Sequence, residues 1–215
     1  MEVGVYMIER LACRLGRNDE IPNIELAEYL CQNSDSVGIK EIVDGFTGND
    51  KAIANDCIKV LYEIGDRNPK LICDYASEFI GGLHSKNNRL VWGSMTALAK
   101  IVNLAPQSIY EKFEVVKSAY ENGSTIAVDN SISVFAGLCK ANGVYAKTVL
   151  PILLNHLQKC RPKEVPQHAE RASVCFNREN ANDFIDVLEK RNTYLGASQQ
   201  ARINKLLKKL YGMIT

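Results

Sequence analysis

Apolar residues recur at helical spacing along almost the whole chain. In the stretch that begins near Lys51 they fall on one helical face, at Ile53, Cys57, Val60 and Ile64. Alternation of apolar and polar residues, as in strands, is almost absent, and short runs of Gly, Asn, Asp and Pro separate the apolar stretches. The pattern predicts helices near 2–15, 23–32, 36–46, 51–65, 70–83, 89–104, 107–120, 125–140, 146–159, 166–177, 181–191 and 199–212.

The apolar face repeats along the chain. The first set of positions is Ile53, Cys57, Val60, Leu61 and Ile64. A shift of 38 residues reaches Val91, Met95, Leu98, Ala99 and Val102, and a further 36 reach Ala127, Ser131, Val134, Phe135 and Leu138. A third shift of 41 gives a weaker match at His168, Ala172, Cys175, Phe176 and Glu179. Because a fixed period is the mark of a repeat architecture, we predict stacked two-helix units rather than an irregular bundle.

Residues suited to helix starts occupy matching places in these units. Asp50, Asn88 and Ser124 are predicted N-caps, because their side-chain oxygens can accept hydrogen bonds from the free amides of a first turn. Pro69 and Pro106 are predicted in the first turn of the partner helices, where the missing amide has no cost.

The two-helix unit resembles the HEAT repeat. The resemblance rests on the apolar motif that runs from Ile53 to Ile64 and again from Val91 to Val102, and the matching units cover roughly residues 36–180. It implies an all-α fold, a right-handed α-solenoid of stacked antiparallel helical hairpins with about twelve helices. We therefore expect one solenoid domain over 1–215, with capping helices in 1–35 and 181–215.

One common HEAT feature is absent. HEAT repeats often carry an arginine just after the first apolar position, and here that position holds Ala54, Trp92, Val128 and Ala169. We expect the polar ladder that links neighbouring HEAT repeats to be missing or replaced.

Charge and cysteine content narrow the class of protein. Lysine and arginine number 26 against 25 acidic residues, and this balance argues against a protein built mainly to hold nucleic-acid phosphates, although it can hide a local basic face. The seven cysteines form no C-x-x-C pair and lie mostly in apolar helical patterns, as in a reducing compartment. With no signal peptide and no apolar run of membrane-spanning length, the expected location is the cytoplasm.

Catalytic and cofactor motifs are absent from the sequence. It contains no H-E-x-x-H, no phosphate-binding glycine loop and no G-x-S-x-G elbow. Of the three histidines, His168 is predicted to be a structural core residue, His84 to lie near a helix end, and none to be a metal ligand. We expect no catalytic residue, no cofactor and no metal.

Trp92 is the only tryptophan, and the repeat pattern places it beside the core positions. Packing against the adjacent repeat is the favoured interpretation, and the alternative is an exposed aromatic on the concave face, where tryptophan often dominates binding. The predicted binding residues of that face are Asn55, Lys59, Tyr62, Trp92, Lys100, Asp129, Ser133 and Arg171. Their mixed charge suits a protein or peptide better than a phosphate backbone.

The C-terminal helix is amphipathic and basic. Its apolar stripe, at Ile203, Leu206, Leu207 and Leu210, predicts a capping helix with a solvated lysine face. The alternatives are an anionic partner or a membrane surface.

We expect a non-enzymatic interaction module or scaffold with a protein or peptide partner. The alternative is an enzyme similar to the HEAT-like DNA alkylation repair glycosylases, for which Trp92, Asp129 and Arg171 would be the candidate residues; nucleic acid is the less favoured partner. HEAT-like proteins that handle bilins are a third class that no residue supports. An uncovered end repeat could also form a dimer, so the sequence leaves the oligomeric state open.

Overall fold

The computed structural model describes residues 6–214, which contain twelve α-helices, four short 3-10 helices and no strand. The α-helices are α1 (Ile21–Asn33), α2 (Ser36–Thr47), α3 (Lys51–Arg67), α4 (Ala76–Gly82), α5 (Asn88–Ile101), α6 (Pro106–Tyr110), α7 (Phe113–Glu121), α8 (Thr125–Ala141), α9 (Gly143–Lys159), α10 (Val165–Ala172), α11 (Ala181–Asn192) and α12 (Ala197–Ile214). The 3-10 helices are Met7–Arg10, Pro69–Leu71, Cys73–Tyr75 and Ser173–Cys175.

The chain divides into two compact units, of which the first ends at Ser131. In this unit α3 packs against α1, α2 and α5, and α5 packs against α4 as well. The second helices of the predicted repeats, α3 and α5, are therefore neighbours. Their facing core includes Cys57, Leu61, Met95 and Leu98, all of which are fully buried.

The second unit begins at Ile132. In this unit α9 packs against α10 and α11, and α12 packs against the same two helices. The apolar stripe of α12 is buried. Phe176 and Phe184 stack in the core with ring centroids 3.9 Å apart.

Most of the repeating apolar positions belong to the core. Sixteen of the twenty positions are buried, including the polar members Ser131 and His168. Ile53, Val91 and Ala99 are half-buried, and Glu179 is exposed. The period therefore identified buried positions even where the residue type matched poorly.

The helix predicted near 2–15 is wrong over the described residues. After the 3-10 helix Met7–Arg10 the chain forms turns, and its amides bind side chains of other elements. Ala12 N donates to Asn23 Oδ1 (3.0 Å), and Cys13 N donates to Asp56 Oδ2 (2.8 Å). These tertiary partners replace the helical acceptors. Residues 2–5 lie outside the described part of the chain.

Three other predicted helices are broken. Two 3-10 helices and α4 replace the helix near 70–83, α6 and α7 replace the one near 107–120, and Ser173–Cys175 ends the one near 166–177 as a 3-10 turn. Between α6 and α7 the backbone leaves the helical region at Lys112 (φ −116°, ψ 27°). The apolar face survives each break, so hydrophobic spacing alone could not detect it.

The predicted N-caps need one correction. The Asp50 side chain accepts from the amides of Ala52 and Ile53, as expected. The cap of α5 is Asn87, not Asn88, and its side chain accepts from Arg89 N (3.1 Å).

The other helix starts follow the sequence. Ser124 Oγ accepts from Ala127 N at 3.5 Å. Pro69 begins a 3-10 helix and Pro106 begins α6, so both lie in a first turn. None of the helices in residues 6–214 is both long enough and apolar enough to span a membrane. The single domain over 1–215 with caps at 1–35 and 181–215 stays a prediction.

Candidate functional site

A buried lysine lies at the centre of a charged cluster in the first unit. Lys59 of α3 is 7% exposed, and its Nζ contacts Glu63 Oε1 (2.8 Å) and Glu20 Oε2 (3.0 Å). Glu63 also binds Arg67 (2.6 Å), and Glu20 binds Arg89 of α5 (2.8 Å). A buried charge is tolerated only when it is paired, and this lysine has two carboxylates.

The cluster holds its charges at neutral pH. Burial by itself lowers the pKa of Lys59, but the hydrogen bonds to Glu63 and Glu20 outweigh burial and raise that pKa above its usual value. Burial also raises the pKa of Glu63, but the bonds from Arg67 and Lys59 leave it lower than usual. Both side chains are therefore ionised, and the cluster is a fixed array of charges.

An aromatic pair joins α3 to α5 beside this cluster. The rings of Tyr62 and Trp92 are 5.8 Å apart and tilted by 46°, which is a favourable aromatic geometry. Lys59 Nζ lies 4.9 Å from the Tyr62 ring centroid. Tyr62 is buried, whereas Trp92 is half-buried. Trp92 thus packs against the preceding repeat, as favoured from the sequence, and keeps part of its surface exposed.

Polar contacts between α3 and α5 lie on both sides of the aromatic pair along the helices. Asn87 Nδ2 donates to Asn55 Oδ1 (2.7 Å) near the start of the two helices. Lys100 Nζ pairs with Asp66 (2.5 Å) near their ends. These contacts therefore replace the polar ladder that the arginine of HEAT repeats often forms between neighbouring repeats.

The next contact of this kind joins α5 to the first turns of α8. Asn130 Nδ2 donates to Thr96 Oγ1 (2.9 Å), and Thr96 Oγ1 donates to Trp92 O (2.8 Å). Polar side chains thus connect three successive second helices within the first unit.

Glycines allow α3 and α5 to approach closely. A methyl group at Gly93 would lie 2.7 Å from Ile58 Cγ1, which is inside van der Waals contact. At Gly65 it would lie 3.0 Å from Lys100 Cβ. Small residues at these two positions are what brings Tyr62 within reach of Trp92.

The structure divides the predicted binding residues between the two units. Asn55, Lys59, Tyr62, Trp92, Lys100 and Asp129 belong to the first unit, and Ser133 and Arg171 belong to the second. Lys59 and Tyr62 are buried, and the other six are half-buried. Four members of the cluster were missed, namely Glu20, Glu63, Arg67 and Arg89. Glu63 and Arg67 follow Lys59 at helical spacing, but the other two come from elements that no local pattern connects.

The second unit contains a buried histidine pair that sequence reasoning did not predict. His156 Nε2 of α9 and His168 Nδ1 of α10 are 2.8 Å apart. Cys160 follows His156 by four residues at the end of α9, and the ligand atoms of the three side chains all lie within 4.8 Å of one another. The expectation of no metal ligand overlooked this four-residue spacing, which could have revealed two of the three residues.

The thiols are not activated as nucleophiles. Burial raises the pKa of Cys160 to about 11, and burial with the nearby Asp56 carboxylate raises that of Cys13 to about 11. A hydrogen bond to Cys175 and burial also raise the pKa of Cys139. These three thiols are protonated at neutral pH and are therefore weak nucleophiles.

No protein-family model matches the chain, and no curated protein matches its sequence. Solved structures do match its fold. An engineered protein is 18% identical over 95% of this chain and 96% of its own, with a TM-score of 0.66. A designed armadillo repeat protein in complex with the peptide (KR)4 is 12% identical over 97% of this chain and 98% of its own, with a TM-score of 0.68. The chain has an armadillo-like repeat fold.

A structure of computationally designed armadillo repeat proteins for modular peptide recognition also matches the fold of the chain. It is 12% identical over 94% of this chain and 97% of its own, with a TM-score of 0.63. At such low identity the likeness establishes the fold alone. It confirms the predicted all-α solenoid of stacked helical hairpins. Within this armadillo-like fold, the Lys59 cluster and the Tyr62–Trp92 pair lie on consecutive second helices.

Proposed function

We propose that the chain is a non-enzymatic scaffold that binds an extended peptide or a protein segment along the polar face of α3, α5 and the first turns of α8. The observation that carries the proposal is the half-buried Trp92, packed on Tyr62 between the Asn55–Asn87 and Thr96–Asn130 contacts. An aromatic ring fixed by its neighbours loses little entropy on binding, which favours it as an anchor.

The polar side chains of this face suit a peptide backbone. An asparagine amide carries both a donor and an acceptor, as a peptide group does. Asn55, Asn87 and Asn130 lie on three successive repeats and are already oriented by hydrogen bonds. Oriented amides can exchange these bonds for bonds to a ligand at small entropic cost.

The charges of this face support a peptide rather than a nucleic acid. Lys59, Arg67 and Arg89 are each paired with a glutamate, and Lys100 is paired with Asp66. A phosphate-binding groove needs cations that are not already neutralised. The glycosylase alternative is therefore disfavoured, and we propose a protein or peptide as the partner.

The proposed location follows from the cysteines. All seven are free thiols, which supports a reducing compartment such as the cytoplasm.

The proposal is tested by selecting binders from a displayed library of unstructured peptides and measuring their dissociation constants. We expect Trp92→Ala to weaken binding by about 30-fold or more, since the loss of a hot-spot residue costs about 2 kcal/mol or more. The matched control is Tyr194→Ala, which removes an 83% exposed aromatic from the second unit and should leave binding unchanged.

Circular dichroism of each variant checks that the helices are intact. Fluorescence anisotropy with labelled single-stranded and double-stranded DNA tests the alternative. Salt-dependent DNA binding without any selected peptide would contradict the peptide proposal, as would selected peptides that bind wild type and Trp92→Ala equally well.

A further inference from the structure

His156, Cys160 and His168 form a cluster inside the second unit, whereas the face described above belongs to the first. His168 is fully buried, His156 is 8% exposed, and Cys160 is half-buried. Imidazole nitrogens and a cysteine sulfur are the ligands that zinc prefers in proteins. We propose that His156, Cys160 and His168 bind one zinc(II) ion, with solvent as the fourth ligand.

The distances are close to those of a zinc site. His156 Nε2 and His168 Nδ1 are 2.8 Å apart, and Cys160 Sγ lies within 4.8 Å of a ring nitrogen of each histidine. In a tetrahedral site with zinc–nitrogen bonds of about 2.0–2.1 Å and a zinc–sulfur bond of about 2.3 Å, ligand atoms are roughly 3.3–3.6 Å apart. The imidazoles must therefore separate by about half an ångström and the thiol must approach by about one, which changes in side-chain torsions can supply.

The backbone around the cluster holds the ligands in place. Cys160 N donates to His156 O (2.7 Å), which closes the last turn of α9. Arg191 of α11 donates to the carbonyls of Gln158 (2.5 Å) and Cys160 (2.6 Å). Fixed backbone positions for the thiol ligand reduce the entropy that metal binding must overcome.

The connection between the ligands is also restricted. Pro162 lies in the short turn after Cys160, and Pro166 lies in the first turn of α10, two residues before His168. Each proline fixes its own φ angle, so the turn has few conformations. Zinc would join the end of α9 to the start of α10 across this turn.

The choice of metal follows from the donor set and its surroundings. The thiol must lose its proton on coordination, so the metal must bind thiolate strongly. This favours zinc over magnesium and calcium, which prefer oxygen ligands. The thiolate also offsets one of the two charges of the ion. Glu164, next to the cluster in sequence, pairs with Arg161, and its carboxylate is not among the ligand atoms that lie together.

The site is tested with the full chain, free of any histidine tag, using cobalt(II) as a spectroscopic probe and zinc as competitor. We expect one cobalt ion to bind per chain and to give a thiolate-to-cobalt charge-transfer band with intense visible bands typical of four-coordinate cobalt. Zinc should remove these bands at one equivalent.

Variants assign the ligands. Cys160→Ser keeps the size of a half-buried side chain, so it should fold, lose the charge-transfer band and bind zinc at least about 100-fold more weakly, since even outer-shell changes cost about 10–100-fold. His156→Gln should weaken zinc binding similarly. The matched controls, Cys31→Ser and His84→Gln, should bind as the wild type does. Absence of a charge-transfer band in the wild type, or an unchanged band in Cys160→Ser, would overturn the proposal.

Discussion

The two units bury polar side chains in different ways. In the first unit Lys59 keeps its charge, because two carboxylates surround its ammonium group. In the second unit the contact between His156 and His168 joins a proton on one ring nitrogen to a lone pair on the other. The carboxylates of the charged cluster already neutralise Lys59, whereas the two imidazole rings and the nearby thiol offer nitrogen and sulfur ligands to a metal ion.

Removal of the buried charge should have the largest effect on stability. Lys59→Ala leaves Glu63 and Glu20 without their shared partner, and we expect a loss of about 3 kcal/mol, the low end for a broken buried pair because both acids keep an arginine. Urea unfolding followed by circular dichroism measures it. Lys70→Ala, at an exposed position, should change stability by less than about 0.5 kcal/mol. Equal losses for the two variants would contradict the role given to Lys59.

A change in the histidine pair should cost less. With a chelator present, His156→Leu removes one partner of a hydrogen bond and leaves the other ring buried, and we expect a loss of about 2 kcal/mol. His84→Leu, outside the pair, is the comparison. A loss of stability larger than that of Lys59→Ala would contradict the expectation that the charged cluster contributes more to stability than the histidine pair.

The close approach of α3 and α5 is tested by a pair of glycine variants. Gly93→Ala places a methyl group 2.7 Å from Ile58 Cγ1, and we expect a loss of about 1–2 kcal/mol from overpacking. At Gly81 of α4 nothing lies within 4 Å, so Gly81→Ala should be neutral or stabilising by up to about 1 kcal/mol. The same denaturation experiment measures both, and a stabilising Gly93→Ala would refute the close contact.

The smallest effect should be a dependence of stability on pH. The folded pKa of Glu63 is below its unfolded value, so its contribution is present above pH about 4.5 and is lost as pH falls through the folded pKa. The free energy of unfolding of the wild type should therefore fall as the pH is lowered into the acid range. We expect Glu63→Gln to reduce this fall by about 1 kcal/mol or less. Glu114→Gln, an exposed acid, should leave the profile unchanged. If the free energy of unfolding falls equally in the wild type and in Glu63→Gln as the pH is lowered, the pairing of Glu63 with Lys59 and Arg67 would be contradicted.

The repeat period predicted most of the fold. It identified the second helices, and sixteen of the twenty positions that it selected are buried, because hydrophobic burial acts on every turn of a helix. It could not place the breaks at Lys112 or in the segment after Pro69, where the backbone changes while the buried face continues. It also could not predict that the amides of Ala12 and Cys13 bind side chains distant in sequence.

The candidate site was predicted only in part. Lys59, Tyr62 and Trp92 follow from helical spacing and from the offset between repeats. Glu20 and Arg89 join them through tertiary contacts that leave no local pattern. Two of the predicted binding residues, Lys59 and Tyr62, are buried. Side-chain exposure depends on which other helices pack against a residue, and the spacing of apolar residues within one helix gives no information about those helices.

Fluorescence of the single tryptophan tests peptide binding on this face most directly. Because Trp92 is the only tryptophan, its emission and its quenching by acrylamide report on the face without a label. We expect a selected peptide to shift the emission of Trp92 and reduce its quenching, with a midpoint equal to the dissociation constant measured independently. Peptide binding that leaves both the emission and the quenching of Trp92 unchanged would contradict the proposed binding face.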